Sequence, residues 1–234
     1  MSDMTDRRAL IIGASRGIGL GLTERLLERG WHVTATSRRT DDSGLAALAQ
    51  RFDERLHPER VDIDLDDQVS ELHDRLAEAA FDLILVNAGV THDRWETVAE
   101  VSTETFQRLM ITNALSPMRF IERFQDLATP SGTLAITSSG QGSIANNTRV
   151  TGWEVYRASK SALNQLMRSF AARHPDTLHT LLLLAPGWVR TELGGSDAAL
   201  TVEQSTTGLA DVIEGQAGAR GLAFLDHAGR TVPW

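Results

Sequence analysis

The chain contains no cysteine. That absence removes disulfides, thiolate catalysis and cysteine-ligated zinc together, and it leaves an intracellular, cytoplasmic address unopposed. Positive charge is also scarce: 23 Lys and Arg stand against 31 Asp and Glu, a formal net charge of −8. Such a surface repels phosphate backbones and anionic lipid, so neither nucleic acid nor a membrane is an expected partner. Long apolar runs are missing as well; Leu181 to Ala185 is among the longest and is far too short to cross a bilayer. Met1 to Arg8 is polar and mixed in charge, unlike a signal peptide. The seven histidines show no H-E-x-x-H or other ligand spacing, so no metal site is expected. Tyrosine occurs once, at Tyr156.

What is present is ordinary globular material: 234 residues, 41% hydrophobic and 23% charged. Neither disorder nor a fibrous repeat fits those proportions. Short apolar runs recur at Ala9 to Ile12, Trp31 to Thr36, Leu83 to Val86, Thr133 to Thr137, Thr180 to Leu184 and Leu222 to Leu225. They lack polar alternation and read as strands buried on both faces, with another strand around His57 to Ile63. Between them, Ile18, Leu22 and Leu26, and then Val69, Leu72 and Leu76, fall at helical spacing. The rhythm predicts an α/β fold: one doubly wound, Rossmann-like parallel sheet of about seven strands with helices on both faces. Residues 1–234 are expected to form a single domain, with 1–7 disordered. Ser196 to Ala219, rich in small and polar residues, reads as a short helix or a mobile flap.

Gly13-Ala14-Ser15-Arg16-Gly17-Ile18-Gly19 follows the first strand and opens the first helix. Glycines there let a diphosphate approach backbone N–H groups without a Cβ clash. The same letters, Gly13-Ala14-Ser15-Arg16-Gly17, also match the G-x-S-x-G nucleophile elbow of hydrolases, which makes Ser15 a rival candidate nucleophile. After the second strand, an NAD enzyme would present an acid to the ribose 2′-hydroxyl, whereas an NADP enzyme needs a cation for the 2′-phosphate. This chain offers Ser37, Arg38 and Arg39 there, and Arg16 in the loop itself. NADP(H) is therefore expected over NAD(H), because a guanidinium fork suits phosphate geometry.

Tyr156 is followed four positions later by Lys160, a spacing that puts phenol and ammonium on one helical face. A cation ~4 Å away at an effective dielectric of ~20 would favour the phenolate by about 4 kcal/mol. That would bring a group of ordinary pKa ~10 towards neutrality, where a general acid or base works best.

Gly13 to Gly19, Asn87-Ala88-Gly89, Asn113, Ser138-Ser139, Tyr156-x-x-x-Lys160 and Pro186-Gly187-Trp188-Val189-Arg190-Thr191 occur in an order and spacing that resemble the short-chain dehydrogenase/reductase superfamily. The end of the chain, Phe224 to Arg230 and on to Trp234, looks like the C-factor and carbonyl-reductase-like branch. The resemblance implies that Tyr156 protonates a carbonyl oxygen while hydride arrives from nicotinamide, with Lys160 lowering the tyrosine pKa and holding the nicotinamide ribose. Ser139 would bind the same oxygen, since Ser139-Gly140-Gln141-Gly142 fits the family's S-x-x-G; Ser143 is a weaker candidate. Asn113 would hold a water that relays protons to Lys160. Asp62 would face the adenine, Asn87, Ala88 and Gly89 would line the cofactor floor, Val189 with Thr191 would bind the carboxamide, and Ile63, Pro186 and Gly187 would belong to the same cofactor site. Relatives are commonly homodimers or homotetramers.

Three departures from the family pattern stand out. Ile12 replaces a frequent threonine, Val86 replaces a first asparagine, and 17 positions separate Ser139 from Tyr156, more than in many relatives. Trp95, Trp153 and Trp188 fall in predicted loops and suggest an apolar carbonyl substrate. The expectation is an NADP(H)-dependent carbonyl reductase, or an alcohol dehydrogenase in reverse, acting on a small carbonyl or alcohol. The alternatives are a C-factor-like signalling or regulatory dinucleotide binder and, less favoured, a serine hydrolase using Ser15.

Overall fold

The structure, a computed structural model, describes residues 7–39 and 43–234. Strand β1 (Arg8–Ile12), helix α1 (Gly17–Glu28), β2 (His32–Ser37), α2 (Ser43–Phe52), β3 (Leu56–Arg60), α3 (Asp66–Arg75) and β4 (Phe81–Val86) make the first half. The second half comprises α4 (Thr103–Met110), α5 (Ser116–Phe124), β5 (Ala128–Thr137), α6 (Glu154–Arg173), β6 (Thr180–Ala185), α7 (Val202–Gln216) and β7 (Gly221–Asp226). All seven strands join one parallel sheet in the order β3-β2-β1-β4-β5-β6-β7. The order reverses between β1 and β4, which opens a crevice at their carboxyl ends. Of the segment expected to be disordered, residues 1–6 lie outside the described residues; Arg7 stacks its guanidinium over Trp31, 4.4 Å from the ring centre.

The unbroken apolar runs follow from burial on both sheet faces. Leu10, Ile12, Ile84, Val86, Leu134, Ile136, Leu181 and Leu183 point into one core, capped by α3, α5 and α6. Their neighbours Ala9, Ile11, Leu83, Leu85, Ala135, Leu182 and Leu184 point into the other, beneath α1, α2 and α7. With period-2 side chains, neither face of a central strand can tolerate a polar residue, so the alternation disappears from the sequence.

The structure resolves two of the expectations. The strand expected over His57 to Ile63 ends at Arg60, and it is an exposed edge strand. Ser196 to Ala219 is largely the regular helix α7, started by a capping box in which Thr201 and Gln204 satisfy each other's backbone N–H groups. Its buried face includes Ser205 and Thr206, so a search for large apolar residues misses it. The small residues allow close packing on α1: a Cβ at Gly21 would lie 2.5 Å from Val202 Cγ1.

Candidate active site

The glycine turn is held by its neighbours. Thr36, on β2, receives the Gly13 N–H through Oγ1 (3.2 Å) and the Ala14 N–H through its carbonyl (2.7 Å). Thr36 thus supplies a hydroxyl beside the turn that begins after Ile12. Asn87 Nδ2 donates to the Gly13 carbonyl at 3.1 Å. Gly13 and Gly17 adopt φ of +83° and +57°, and a Cβ at Gly19 would sit 2.1 Å from the Gly13 oxygen. Helix α1 starts without a side-chain cap and without an acid in its first turn. Its free N–H groups and positive dipole end therefore face the turn available to an anion, and the glycines clear the approach to it. These residues fit the diphosphate of a dinucleotide.

Along the same carboxyl edge, Ser37 turns its hydroxyl to the Arg39 carbonyl, while Arg38 is exposed and its guanidinium has no partner among the described residues. Asp62 Oδ1 accepts the Asp64 N–H at 3.1 Å, and Ile63 is buried beside it. Arg16 departs from expectation: its guanidinium pairs with Glu192 on the segment after β6 and is not turned to Arg38. The glycine turn and that segment also touch through Gly17 and Thr191, since a Cβ at Gly17 would lie 3.2 Å from Thr191 Cγ2. Thr191 Oγ1 accepts the Gly194 N–H at 3.0 Å, Val189 is buried, and Pro186 and Gly187 form the turn leading out of β6. Gly187 has φ +85° and packs on His227 and Leu200.

At the other end of the crevice Tyr156, Lys160, Ser139 and Asn113 are assembled from α6, the turn after β5 and a π-helical segment, Ile111–Leu115. The widened turn belongs to a class often found at functional sites. Asn113 is fully buried. Its Oδ1 accepts the Val90 N–H (2.8 Å), and its Nδ2 donates to the Val90 carbonyl (2.9 Å) and to Ser159 Oγ (2.9 Å). Ser159 in turn donates to the Tyr156 carbonyl at 2.7 Å. The Asn113 side-chain amide thus clamps the loop after β4 against the catalytic helix.

Ser138 and Ser139 diverge in function. Ser138 donates to Asn164 Oδ1 at 2.6 Å, inside the core. Ser139 accepts the Gln141 N–H at 3.1 Å and hydrogen-bonds the Tyr156 phenol. Because its oxygen accepts from Gln141 and the phenol contact favours the phenolate, the Ser139 proton is the one donated, towards the phenol oxygen. Ser143 Oγ instead receives the Asn146 N–H at 3.1 Å.

The electrostatics differ from the simple phenol–ammonium pair. Burial pushes the Tyr156 phenol above its usual value, and the Ser139 hydrogen bond opposes this. Lys160 is 3% exposed and directs Nζ to the Thr137 carbonyl at 2.9 Å; burial pushes it down to about 8. The phenol's direction is set by burial and by Ser139, while the Lys160 ammonium is engaged by the Thr137 carbonyl. Desolvation dominates both groups: Val90 and Trp153 pack against the cluster that holds Tyr156, and a Cβ at Gly89 would lie 3.6 Å from Lys160 Nζ.

Sequence reading missed Thr36, Ser159 and Asn164, whose hydroxyl and amide groups form the supporting hydrogen bonds. Their only sequence signal was polarity inside otherwise apolar elements. Of the three tryptophans, Trp153 packs against the cluster of Leu109, Val155 and Tyr156, whereas Trp95 and Trp188 are exposed. Ser15 has no histidine partner among the described residues, which leaves the hydrolase reading without a base.

A parallel sheet with a phosphate-type turn at its switch point and a buried tyrosine–lysine pair defines a dinucleotide-binding oxidoreductase scaffold. The profile of the short chain dehydrogenase family matches residues 7–199, and the chain belongs to that family. Among solved structures, it is similar to a short-chain dehydrogenase/reductase from Burkholderia multivorans with bound NADP, at 48% identity and TM-score 0.96 over 98% of this chain and 100% of that one. A carbonyl reductase from Pseudomonas aeruginosa PAO1 in complex with NADP is 39% identical, with TM-score 0.91 over 98% of this chain and 100% of that one. C-signal of Myxococcus xanthus is 35% identical over 156 residues, 65% of this chain and 92% of that protein. Among the described residues no helix is long and apolar enough to cross a membrane. The family finding overturns the hydrolase alternative.

Proposed function

We propose that this protein is an NADP(H)-dependent carbonyl reductase acting on an apolar aldehyde or ketone. The observation that carries this reading is the buried Tyr156 hydroxyl, hydrogen-bonded by Ser139 and set on one helix with Lys160. When bound, the reduced dinucleotide supplies a hydride to the carbonyl carbon. Tyr156 gives its O–H proton to the carbonyl oxygen, and burial keeps that proton in place at neutral pH, which suits the reductive direction. Ser139 turns its O–H from the phenol to the same carbonyl oxygen and stabilises the charge that develops there. Lys160 keeps a positive charge beside the Gly89 floor, where a ribose and the tyrosinate left after transfer would both be stabilised.

The NADP preference is supported by Arg38, exposed and unpaired at the end of β2, and by the NADP found in similar structures. The apolar substrate is supported by Val90 and Trp153 around the tyrosine and by exposed Trp95, Ile144, Val150 and Leu193 on the surrounding loops. The test is NADPH consumption with a panel of aldehydes, ketones and quinones, NADH alongside, for the natural chain and Tyr156→Phe. Turnover should fall roughly 10²–10⁴-fold without the proton donor. Equal turnover by Tyr156→Phe, or a clear NADH preference, would refute the proposal.

The likeness to C-signal favours one second reading, a signalling or regulatory protein that binds a dinucleotide without needing turnover. In that case Tyr156→Phe would keep its biological effect with cofactor bound.

A further inference from the structure

Between Ser139 and Tyr156, the segment 143–153 carries Arg149 but no Asp or Glu, and it contains neither strand nor helix. Ile144 and Val150 on it are 74% and 95% exposed, so apolar burial does not hold this strap in place. Polar anchors do. The Ala145 N–H donates to the Trp234 carbonyl at 2.9 Å, and Arg94 Nε donates to the Thr151 carbonyl at 3.2 Å. The Trp153 N–H returns a bond to the Arg94 carbonyl at 2.6 Å. The remaining anchor is Arg157, the residue after Tyr156: its two terminal nitrogens donate to Asn147 Oδ1 and Thr151 Oγ1. One guanidinium fork therefore ties both ends of the 147–151 excursion to the catalytic helix.

The environment of Arg157 is costly for a cation. Among the described residues no carboxylate pairs with it, although acids outnumber bases in the chain. Its Nε is sealed from solvent without a partner, and burial lowers its pKa below the usual guanidinium value. A charge serving only solubility would remain in water, where it is better solvated.

The strap delivers Trp153 to the cluster that holds Tyr156. Gly152 has φ +77°, and a Cβ there would meet the Arg94 carbonyl at 2.3 Å; Trp153 itself is left-handed at φ 57°. Both conformations are unfavourable for ordinary residues and need surrounding structure to hold them. Trp153 then packs in the cluster of Tyr156, Val90 and Leu109. Building on the proposed reductase reading, we infer that Arg157 is a positioning residue: it latches residues 147–151 to α6 and so fixes the Trp153 wall of the substrate crevice. It governs how tightly a substrate is held, while the proton still passes through Tyr156.

The test joins hydrogen exchange of the uncomplexed protein with steady-state kinetics. Arg157→Ala should accelerate amide exchange in 144–152 roughly tenfold and raise KM for carbonyl substrate about tenfold, with kcat changing less than about threefold. Lysine can reach only one of the two acceptors, so Arg157→Lys should fall between alanine and the natural residue in both readouts. Asn147→Ala and Thr151→Val remove the acceptors without touching α6. They keep the inference testable should Arg157→Ala fail to fold, and their combination should reproduce the faster exchange. Unchanged exchange in the strap, or a loss confined to kcat, would overturn the latch. If no carbonyl is turned over, the reductase reading fails while the exchange measurement still decides the latch.

Discussion

Lys160 is the most informative single residue to remove, because its burial sets stability against function. In the fold its pKa is pushed from 10.5 down to about 8 by desolvation. At ~1.4 kcal/mol per tenfold, keeping that ammonium charged at pH 7 costs folding about 3 kcal/mol. Between pH 8 and 10.5 the unfolded chain binds more protons at this site than the folded chain, so stability rises with pH across that window. Lys160→Met removes the penalty and retains the aliphatic volume, but it deprives the Thr137 carbonyl of its 2.9 Å donor, a loss of about 1–2 kcal/mol. The variant should therefore be more stable at pH 7 by about 1–2 kcal/mol. For a chain of this size that is a rise in melting temperature of roughly 3–6 °C. Comparing thermal unfolding of the two proteins from pH 7 to 10.5 cancels the other titrating groups. The difference should shrink through pH 8 and reverse before 10.5, while turnover is lost throughout. A Lys160→Met protein that is less stable at pH 7, or a difference independent of pH, would refute the reasoning.

Removing the Asn113 side chain leaves both polar groups of Val90 without this partner and takes from Ser159 Oγ the donor it accepts, while its own bond to the Tyr156 carbonyl remains. Asn113→Ala should therefore lose about 2–4 kcal/mol, measured by chemical denaturation, with faster amide exchange at Val90. Gly19→Ala places a Cβ where the Gly13 oxygen sits, and calorimetric titration should show dinucleotide affinity reduced at least ~100-fold through distortion of the turn. Arg38→Ala should raise KM for NADPH roughly tenfold or more and leave that for NADH within about twofold, since only the former offers a 2′-phosphate to a guanidinium. Equal effects on both cofactors would place the phosphate elsewhere.

The legible parts of this fold share one physical property: their residues are selected by local environment alone. Leu181, Leu182, Leu183 and Leu184 are all fully buried, so strand β6 is visible as an unbroken apolar run whichever helices cover it. The landmarks at Gly13 to Gly19, Ser139, Tyr156 and Lys160 are legible because backbone geometry and proton chemistry restrict the residue type. α7 obeys a different requirement. Its approach to α1 demands small side chains, and Ser205 and Thr206 read as surface until the partner helix is known; the Thr201–Gln204 cap was the local signal.

The site's electrostatics were the least legible part, and the reason lies in where the partners come from. A Tyr-x-x-x-Lys spacing places two side chains on one face, but it does not say which acceptor the ammonium will choose. Here the Thr137 carbonyl on β5 takes it, and the groups packed around the pair come from two separate loops, at Gly89 and Val90 and at Trp153. Burial raises the cost of the charged form for acid and base alike, moving the phenol up and the ammonium down. The pair is thereby biased towards a protonated phenol and a lysine that can titrate near neutrality. The Arg16–Glu192 contact carries the same lesson, since it joins the loops after β1 and β6, which are distant in sequence. In both cases the chain's topology, set by the buried strands, determines which charges meet.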